Sequence, residues 1–424
     1  KSTEDKRNKP IFKLDKKFKR FRKPSLSDQI SYIMNKKATP CILFYFSREK
    51  VENKARYAAN LNFKIKKNVQ LRHLFEDIFD DITNEEYQLL NLDELYWMWS
   101  RGVAYHHAGL APIVKEFVEF LFINRHIDIL FATETLSLGI NMPAKSIIID
   151  SSFKYDGLKT RLISKSEFLQ LTGRAGRRGI DSKGYAYINY DKRVENNWYN
   201  DLFDLKPNNL KSSYSNSYGS VLNLNNKYGE KKGIEMIKKS FYSYQNKLND
   251  KALETNYKAK LKVLNEMNYF TDLKKNKLLT ETHRDNLILG IEMLNENNDI
   301  EFCLMFLASG ISTSKYEISV HDKYNDLLTK YLISQEKVNK LEAFSGVKNK
   351  INLDITWFSI FLEFYNSDNI EYTLSKFNVT LGDFIKACRE ASEISQKVYS
   401  IYEIENFDKI AKKLKHNIIQ KTMI

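Results

Sequence analysis

Proline is scarce in this sequence, and its positions divide the chain into two unequal parts. Six prolines occur among 424 residues, and none lies beyond Pro207. Glycines cluster between Gly102 and Gly184. Because proline interrupts helices, a long proline-free region with amphipathic periods predicts a mostly helical back half.

Cysteine and long apolar runs are also rare. Cys41, Cys303 and Cys388 lie far apart and form no metal-ligand spacing. They favour a reducing intracellular compartment, the cytoplasm first, with the nucleus as an open alternative. No apolar run approaches the roughly 18 residues of a membrane span, so we expect no membrane partner. The polar stretch Lys1–Lys23 lacks an apolar signal region, and we interpret it as a linker inside a longer protein.

Positive charge exceeds negative charge. The sequence has 67 Lys and Arg against 53 Asp and Glu, a formal net charge of +14. Such a surplus suits a polyanionic partner such as nucleic acid. Abundant Lys, Asn, Ile and Tyr would also follow from AT-rich coding, so charge alone leaves both explanations open. The 42% hydrophobic content excludes wholesale disorder.

The front half alternates short apolar runs with helical patterns, which is typical of βαβ units around a parallel sheet. The fold class is therefore predicted to be α/β. The predicted strands are Cys41–Phe46, Val103–His106, Ile127–Ala132, Ser146–Ile149 and Gly184–Ile188. Helices are predicted over 48–60, 84–99, 112–123 and 165–174, the last opened by a capping box from Ser164 to Glu167.

The back half reads as helices with one interruption. Leu278–Thr280 follows a polar turn after Tyr269 and Phe270, and helices followed by such a short hairpin suggest a winged-helix module. Beyond about residue 291 only helices are predicted, including 299–308, 354–366, 379–399 and 401–417.

The segment Phe168–Gly179 carries three arginines and three glycines. Helical spacing would place Gln170 and Arg174 on one face, and Gly173, Gly176 and Gly179 would allow a close approach to a ligand. Arg174 and Arg177 could stabilise the charge of a transferring phosphoryl group. The alternative is a basic turn that binds RNA phosphate or faces solvent.

The segment Phe131–Pro143 leaves the carboxyl end of a predicted strand, where α/β sheets bind ligands. Thr133 and Ser137 could bond phosphate oxygens. Gly139 permits a tight backbone, and Asn141 could bond a ribose hydroxyl or an arginine. An ordinary strand-to-helix loop remains the alternative.

Two further segments end predicted strands. In Val103–Pro112, His107 and Gly109 could meet a nucleic-acid phosphate at the following helix N-terminus. His106 is expected to have a core or capping role, and no neighbouring ligand spacing supports a metal. Ser47 and Arg48 end another strand, where Arg48 could reach the cleft or Ser47 could simply cap a helix.

These segments together resemble the second RecA-like lobe of DExH-box RNA helicases of the superkiller and exosome-associated type. Phe44–Arg48 looks like motif IV, and His106–Pro112 like the family's HHSGLLP block. Ala132–Ala144 is very close to motif V, and Gln170–Gly179 to motif VI. Fainter similarities follow at Leu210–Leu224, Ser240–Gln245 and Phe377–Arg389.

The resemblance implies an order of domains and a set of roles. It implies a basic linker over 1–24, a RecA-like lobe over 25–200, a winged-helix domain over 201–290 and a ratchet-type helical domain over 291–424. Arg174 and Arg177 would be arginine fingers with Gln170 in support, and Gly139 and Asn141 would lie at the nucleotide cleft. RNA contacts are implied for Ser47, Arg48, His107, Gly109, Thr133 and Glu134, and more weakly for Lys386 and Arg389 on the ratchet helix.

Two departures from the family limit what the resemblance implies. No GxxxxGK[ST] phosphate loop and no DExH quartet occur, so ATP and Mg²⁺ would be bound mainly by a first lobe and this chain alone is expected to be inactive. The stretch Asn246–Lys251 leads directly into a helix where large relatives insert an arch, which argues against a nuclease of RNA decay as partner.

The sequence thus predicts the rear part of an ATP-dependent helicase that moves 3′-to-5′ along RNA, with single-stranded RNA carrying a 3′ overhang and its own first lobe as partners. The alternatives are a DNA helicase of the same superfamily and a non-hydrolysing RNA-binding scaffold.

Overall fold

A computed structural model describes residues 23–61, 70–137, 142–156, 159–177, 179–204, 210, 212–245, 250–311, 316–347 and 350–415. Within them, five parallel strands form one sheet in the order β2-β3-β1-β4-β7. These strands are β1 Cys41–Phe44, β2 Val103–His106, β3 Ile129–Ala132, β4 Ser146–Ile149 and β7 Tyr185–Ile188. A separate antiparallel pair consists of β5 Phe153–Tyr155 and β6 Thr160–Leu162. The predicted α/β class, with a RecA-like sheet followed by helices, is confirmed.

The sheet is covered by helices whose apolar faces are buried against it. All residues of β1 to β4 are buried, as expected for strands covered on both faces. An aromatic cluster of Phe75, Phe79, Trp99 and Phe117 fills one side. The helices of this lobe are α1 Leu26–Asn35, α2 Arg48–Asn60, α3 Gln70–Phe79, α4 Asn84–Leu89, α5 Leu92–Trp99, α6 Pro112–Ile123, α7 Lys165–Thr172 and α8 Asn196–Phe203.

Two predicted helices of the lobe differ from the structure. The predicted helix over 84–99 is two helices, because Asn91 adopts a left-handed conformation with φ of 52° between them. The helix predicted over 165–174 ends at Thr172. Its capping box is present, since Ser164 accepts from the Glu167 amide and the Glu167 side chain accepts from the Ser164 amide.

The back half contains helices and, among the residues that the structure describes, no strand. Its first helix is α9 Tyr218–Lys238, which contains a kink at Gly229. The other helices follow in chain order. They are α10 Phe241–Gln245, α11 Asp250–Glu266, α12 Leu273–Thr282, α13 Ile288–Ile291, α14 Ile300–Gly310, α15 Asn325–Ser345, α16 Thr356–Ser367, α17 Ile370–Phe377, α18 Leu381–Tyr402 and α19 Glu405–Leu414.

The predicted hairpin around Leu278 is wrong. Asp272 follows Tyr269 and Phe270 and accepts hydrogen bonds from the amides of Lys274 and Lys275. This cap starts α12, so what looked like a turn before a strand is a helix N-terminus. The winged-helix assignment therefore stays a prediction that rests on its helices.

A buried polar cluster joins the two predicted back-half domains. The Tyr218 hydroxyl donates to Glu342 at 2.9 Å, and the Lys260 ammonium lies 4.2 Å from the Tyr218 ring centroid. Burial raises the pKa of Glu342, which is fully inaccessible to solvent. Residues on both sides of position 290 thus share one interior.

Candidate functional site

The carboxyl edge of the sheet brings three of the predicted segments together. Phe44 and His106 each lie in register with Ala132, so β1, β2 and β3 end side by side. Arg48, His107 and Thr133 follow these three strand ends. Three of the four predicted segments therefore meet at one edge of the sheet.

The two ends of the segment after β3 lie at opposite edges of the sheet. Thr133 follows the carboxyl end of β3, whereas Ala144 precedes the amino end of β4. The Ala144 amide donates to the Arg174 carbonyl at 2.9 Å, and the Gly176 amide donates to the Ala144 carbonyl at 2.7 Å. The arginine segment therefore lies at the amino edge of the sheet. Gly139 and Asn141 lie outside the described residues.

The arginine segment is a turn rather than a helical face. Because α7 ends at Thr172, Arg174 lies outside the helix that contains Gln170, and Gln170 itself is exposed. Gly176 and Gly179 have φ of 91° and 76°, values that favour glycine. Gly173 has an ordinary helical φ of −61°. Two of the three predicted glycine bends are therefore present.

Arg177 is held by Asp181. Its Nε donates to Asp181 at 2.6 Å and its Nη2 at 2.7 Å, and its backbone amide also donates to that carboxylate. The hydrogen bonds from Arg177 hold the pKa of the Asp181 carboxyl below its ordinary value. A phosphate that binds Arg177 would have to compete with this carboxylate. Sequence reasoning missed Asp181, although its spacing of four residues from Arg177 was a usable signal.

The two histidines at the carboxyl end of β2 are interior residues. His106 Nε2 lies 2.8 Å from Glu119, and His107 Nε2 lies 3.0 Å from Glu52. His107 Nδ1 accepts from the Gly109 amide at 3.0 Å, so both nitrogens of the His107 ring are used. Because the His107 ring is buried and bonded within the chain, it stabilises the loop and does not face a nucleic acid. The interior role predicted for His106 agrees with its 4% exposure.

Burial of His106 predicts a specific dependence of stability on pH. Burial lowers the pKa of this imidazole despite the neighbouring Glu119. The unfolded chain therefore takes up the proton first as pH falls through the ordinary histidine value of about 6.5, and stability declines from there down to the folded pKa. We expect wild type to lose more unfolding free energy than His106→Gln when the pH falls from 7.5 to 5.5. Urea unfolding at the two pH values measures this, and equal losses in the two proteins would contradict it.

Arg48 and Ser47 are also engaged within the chain. Arg48 Nη1 and Nη2 donate to the two oxygens of Asp383 at 2.6 and 3.1 Å. The Ser47 hydroxyl accepts from the Lys50 amide, so its helix-capping alternative is confirmed. Sequence reasoning singled out the turn containing Asp383 but had no means of pairing it with Arg48.

A buried lysine connects Glu134 to the helix that leads to the arginine segment. Lys154 is 9% exposed and donates to Glu134 at 2.5 Å and to Glu167 at 2.8 Å. Arg161 also binds Glu167 with two hydrogen bonds. The Glu134 carboxylate is thus occupied by Lys154, and nothing in the sequence pattern had indicated Lys154. The Thr133 hydroxyl, which is mostly buried, lies 2.8 Å from that of Thr135.

The two predicted RNA contacts on the candidate ratchet helix α18 differ in their exposure to solvent. The Lys386 side chain is 72% exposed, and its ammonium lies 3.8 Å from Glu390. Arg389 is partly buried and lies near Lys115 of the lobe. Burial, with a contribution from the Arg389 charge, lowers the pKa of Lys115. One side of α18 therefore faces the lobe.

The arginine segment suits phosphate better than a metal. Guanidinium and amide groups donate hydrogen bonds and fit anionic oxygens. Among the described residues, no group of three or more His, Cys, Asp or Glu side chains could hold a metal ion.

In the part of the chain that the structure describes, no helix is long and apolar enough to cross a membrane.

Comparison with known proteins identifies the lobe. Residues 82–179 match the family described as the helicase conserved C-terminal domain. Human exosome RNA helicase MTR4 is 34% identical over 217 residues, which are 51% of this chain and 21% of that protein. Antiviral helicase SKI2 of Saccharomyces cerevisiae is 33% identical over 239 residues, covering 56% of this chain and 18% of SKI2. DExH-box ATP-dependent RNA helicase DExH10 of Arabidopsis thaliana is 33% identical over 276 residues, covering 61% and 28%.

The chain spans less than a third of the length of each of these relatives. The match includes the arginine segment and the segment after β3, which the fold places on two edges of a RecA-like sheet. Residues 82–179 thus form a helicase conserved C-terminal domain, and the chain is similar to DExH-box RNA helicases and to MTR4 and SKI2 over 51–61% of its length.

Proposed function

We propose that this chain is the second motor lobe and RNA-guiding part of an ATP-dependent RNA helicase that moves 3′-to-5′ along single-stranded RNA. The observation that carries the proposal is the attachment of the arginine segment to the sheet. The Ala144 amide donates to the Arg174 carbonyl and the Gly176 amide donates to the Ala144 carbonyl, next to the start of β4. Arg174 is thereby fixed to the same sheet that carries Thr133 at its carboxyl edge, so a movement of the sheet would move both. The 3′-to-5′ direction is taken from the resemblance alone.

In this proposal Arg174 and Arg177 act on the triphosphate of ATP. ATP supplies the phosphoryl group when it binds at a first RecA-like lobe together with Mg²⁺. Arg177 would exchange Asp181 for phosphate oxygens as the lobes close, with Gln170 and Arg174 beside it. Such guanidinium groups stabilise the charge that develops in phosphoryl transfer. Gly139 and Asn141 are proposed to lie at the same cleft.

RNA is proposed to run along the carboxyl edge and past α18. Backbone phosphates there would meet Thr133 and the positive groups of α18, including Lys386 and Arg389. Such contacts are blind to sequence, so we expect low base specificity. The internal contacts of His107, Arg48 and Glu134 favour supporting roles for these three residues. The free, buried cysteines suit the intracellular setting proposed with this function.

A first lobe is part of the proposal because the sequence contains neither GxxxxGK[ST] nor DExH. Partners named for relatives, such as the exosome in the name of MTR4, are carried over only as a proposal for testing. The DNA-helicase and scaffold alternatives remain distinguishable by activity, since one unwinds DNA and the other hydrolyses no ATP.

The test uses the complete protein with its ATP-binding lobe. We expect ATP hydrolysis that RNA stimulates, and unwinding of an RNA duplex with a 3′ overhang but not of one with a 5′ overhang. A matched DNA duplex should unwind more slowly. RNA binding without ATP turnover would support the scaffold, and preferential DNA unwinding would support the DNA helicase.

A further inference from the structure

The loop after β2 and the start of α18 form an interface between the lobe and the helical domain. The Gly382 amide donates to the Gly109 carbonyl at 3.0 Å. A Cβ on Gly382 would lie 2.5 Å from the Leu110 carbonyl oxygen and 2.6 Å from that of Ala108. The first turn of α18, where helix amides lack internal partners, therefore faces a row of loop carbonyls.

A bidentate ion pair closes the same interface. Besides its two hydrogen bonds to Asp383, Arg48 Nη1 donates to the Thr380 hydroxyl at 3.2 Å. The Tyr316 hydroxyl donates to Asp383 at 2.6 Å, so this carboxylate collects groups from three parts of the chain. The side chains of Arg48 and Asp383 are 27% and 19% exposed. Planar two-point pairing fixes orientation as well as distance, which a single contact would not.

The loop itself is rigid on the lobe side. His107 is hydrogen-bonded to Glu52 of α2 and to the Gly109 amide. Arg48 is the first residue of α2. The β2 loop and α2 are therefore held together by His107, and α18 contacts both the loop and the first residue of α2.

We propose that Arg48 and Asp383 form a joint that makes the RecA-like lobe and α18 move as one body, with Asp383 as a positioning residue for RNA movement. The coupling to RNA movement rests on the proposed function; the rigid joint does not. When the lobe moves during the ATP cycle, α18 would then move with it by the same amount, because the helix cannot tilt against the lobe.

The joint can be measured without any enzymatic activity. Cys41, Cys303 and Cys388 are buried, and burial raises the pKa of Cys41 and Cys303 to about 12. Introduced cysteines at exposed Ile123 on α6 and Glu393 on α18 would thus take spin labels selectively. Double electron–electron resonance should give one narrow distance distribution in wild type and one about twice as broad in Asp383→Ala.

Glu94→Ala is the matched control. Glu94 also forms a two-point pair with an arginine, Arg56, but both residues lie within the lobe. It should leave the distribution narrow. If Asp383→Ala is poorly folded by circular dichroism, Asp383→Asn keeps the side-chain shape and should broaden the distribution to a smaller extent. A broad wild-type distribution, or an unchanged one in both Asp383 variants, overturns the joint.

The second arm tests coupling in the complete protein. Asp383→Ala should keep RNA-stimulated ATPase within about threefold of wild type while its unwinding rate falls about tenfold. Unwinding that falls only in proportion to ATPase overturns the coupling. A wild type with a narrow distribution but no RNA-stimulated ATPase leaves the joint standing and refutes the proposed function instead.

Discussion

We expect Arg177→Ala to lower kcat for RNA-stimulated ATP hydrolysis by about 10³-fold in the complete protein, as loss of an arginine finger does. The KM for ATP should change far less, because the interaction forms mainly in the transition state. The guanidinium is 11% exposed and hydrogen-bonded to Asp181, and in this proposal it exchanges that carboxylate for phosphate oxygens as the lobes close. Steady-state ATPase assays at saturating RNA measure both constants.

Arg193→Ala supplies the control for this prediction. Arg193 also binds a nearby aspartate, Asp191, through two guanidinium nitrogens, and its side chain is 70% exposed on the same lobe. Its loss should leave kcat unchanged. If Arg177→Ala keeps the wild-type kcat, the Arg177–Asp181 pair is only a structural clasp, and the role proposed for Arg177 is wrong.

A substitution of Asp181 tests how this carboxylate affects Arg177. Because this carboxylate competes with phosphate, Asp181→Asn should weaken the clasp without removing the guanidinium. Its kcat should therefore stay well above that of Arg177→Ala. A variant as slow as Arg177→Ala would mean that Asp181 is needed to position the arginine.

The architecture could be predicted from the sequence because its signals are local. Buried parallel strands are short apolar runs, and α6 opens with Pro112 at a favoured first-turn position. The capping box at Ser164 fixes the start of α7 in the same way. Errors arose where one side chain redirects the backbone, as Asp272 does when it caps α12 and Asn91 when it separates α4 from α5.

Contacts between residues far apart in the sequence could not be predicted, and they change the roles assigned to several site residues. Arg48 and Asp383 are 335 positions apart, and no periodicity connects them. The partners of His107, Glu134 and Arg177 are likewise decided by folding. The sequence motifs thus identified which residues lie at the site. Their hydrogen-bond partners inside the chain become visible only in the structure.

Gly184 provides a test of the amino edge that does not touch any proposed catalytic side chain. A Cβ at this position would lie 2.5 Å from the carbonyl carbon and oxygen of Ala175 and 2.5 Å from the Gly176 nitrogen. All three are backbone atoms, which cannot rotate away as a flexible side chain could. Gly184→Ala must therefore push the arginine segment away from the start of β7, straining the hydrogen bonds between Ala144 and this segment.

We expect Gly184→Ala to cost about 3 kcal/mol of unfolding free energy, the upper part of the usual range for overpacking. A displacement of about 1 Å should also lower kcat for ATP hydrolysis by about 10²-fold. Denaturant unfolding and ATPase assays measure the two effects. Gly346→Asn is the control, since Gly346 has a φ of 86° with open space around it and asparagine tolerates that conformation. Wild-type ATPase in Gly184→Ala would contradict the requirement for this close packing, because the arginines would then act correctly from a displaced backbone.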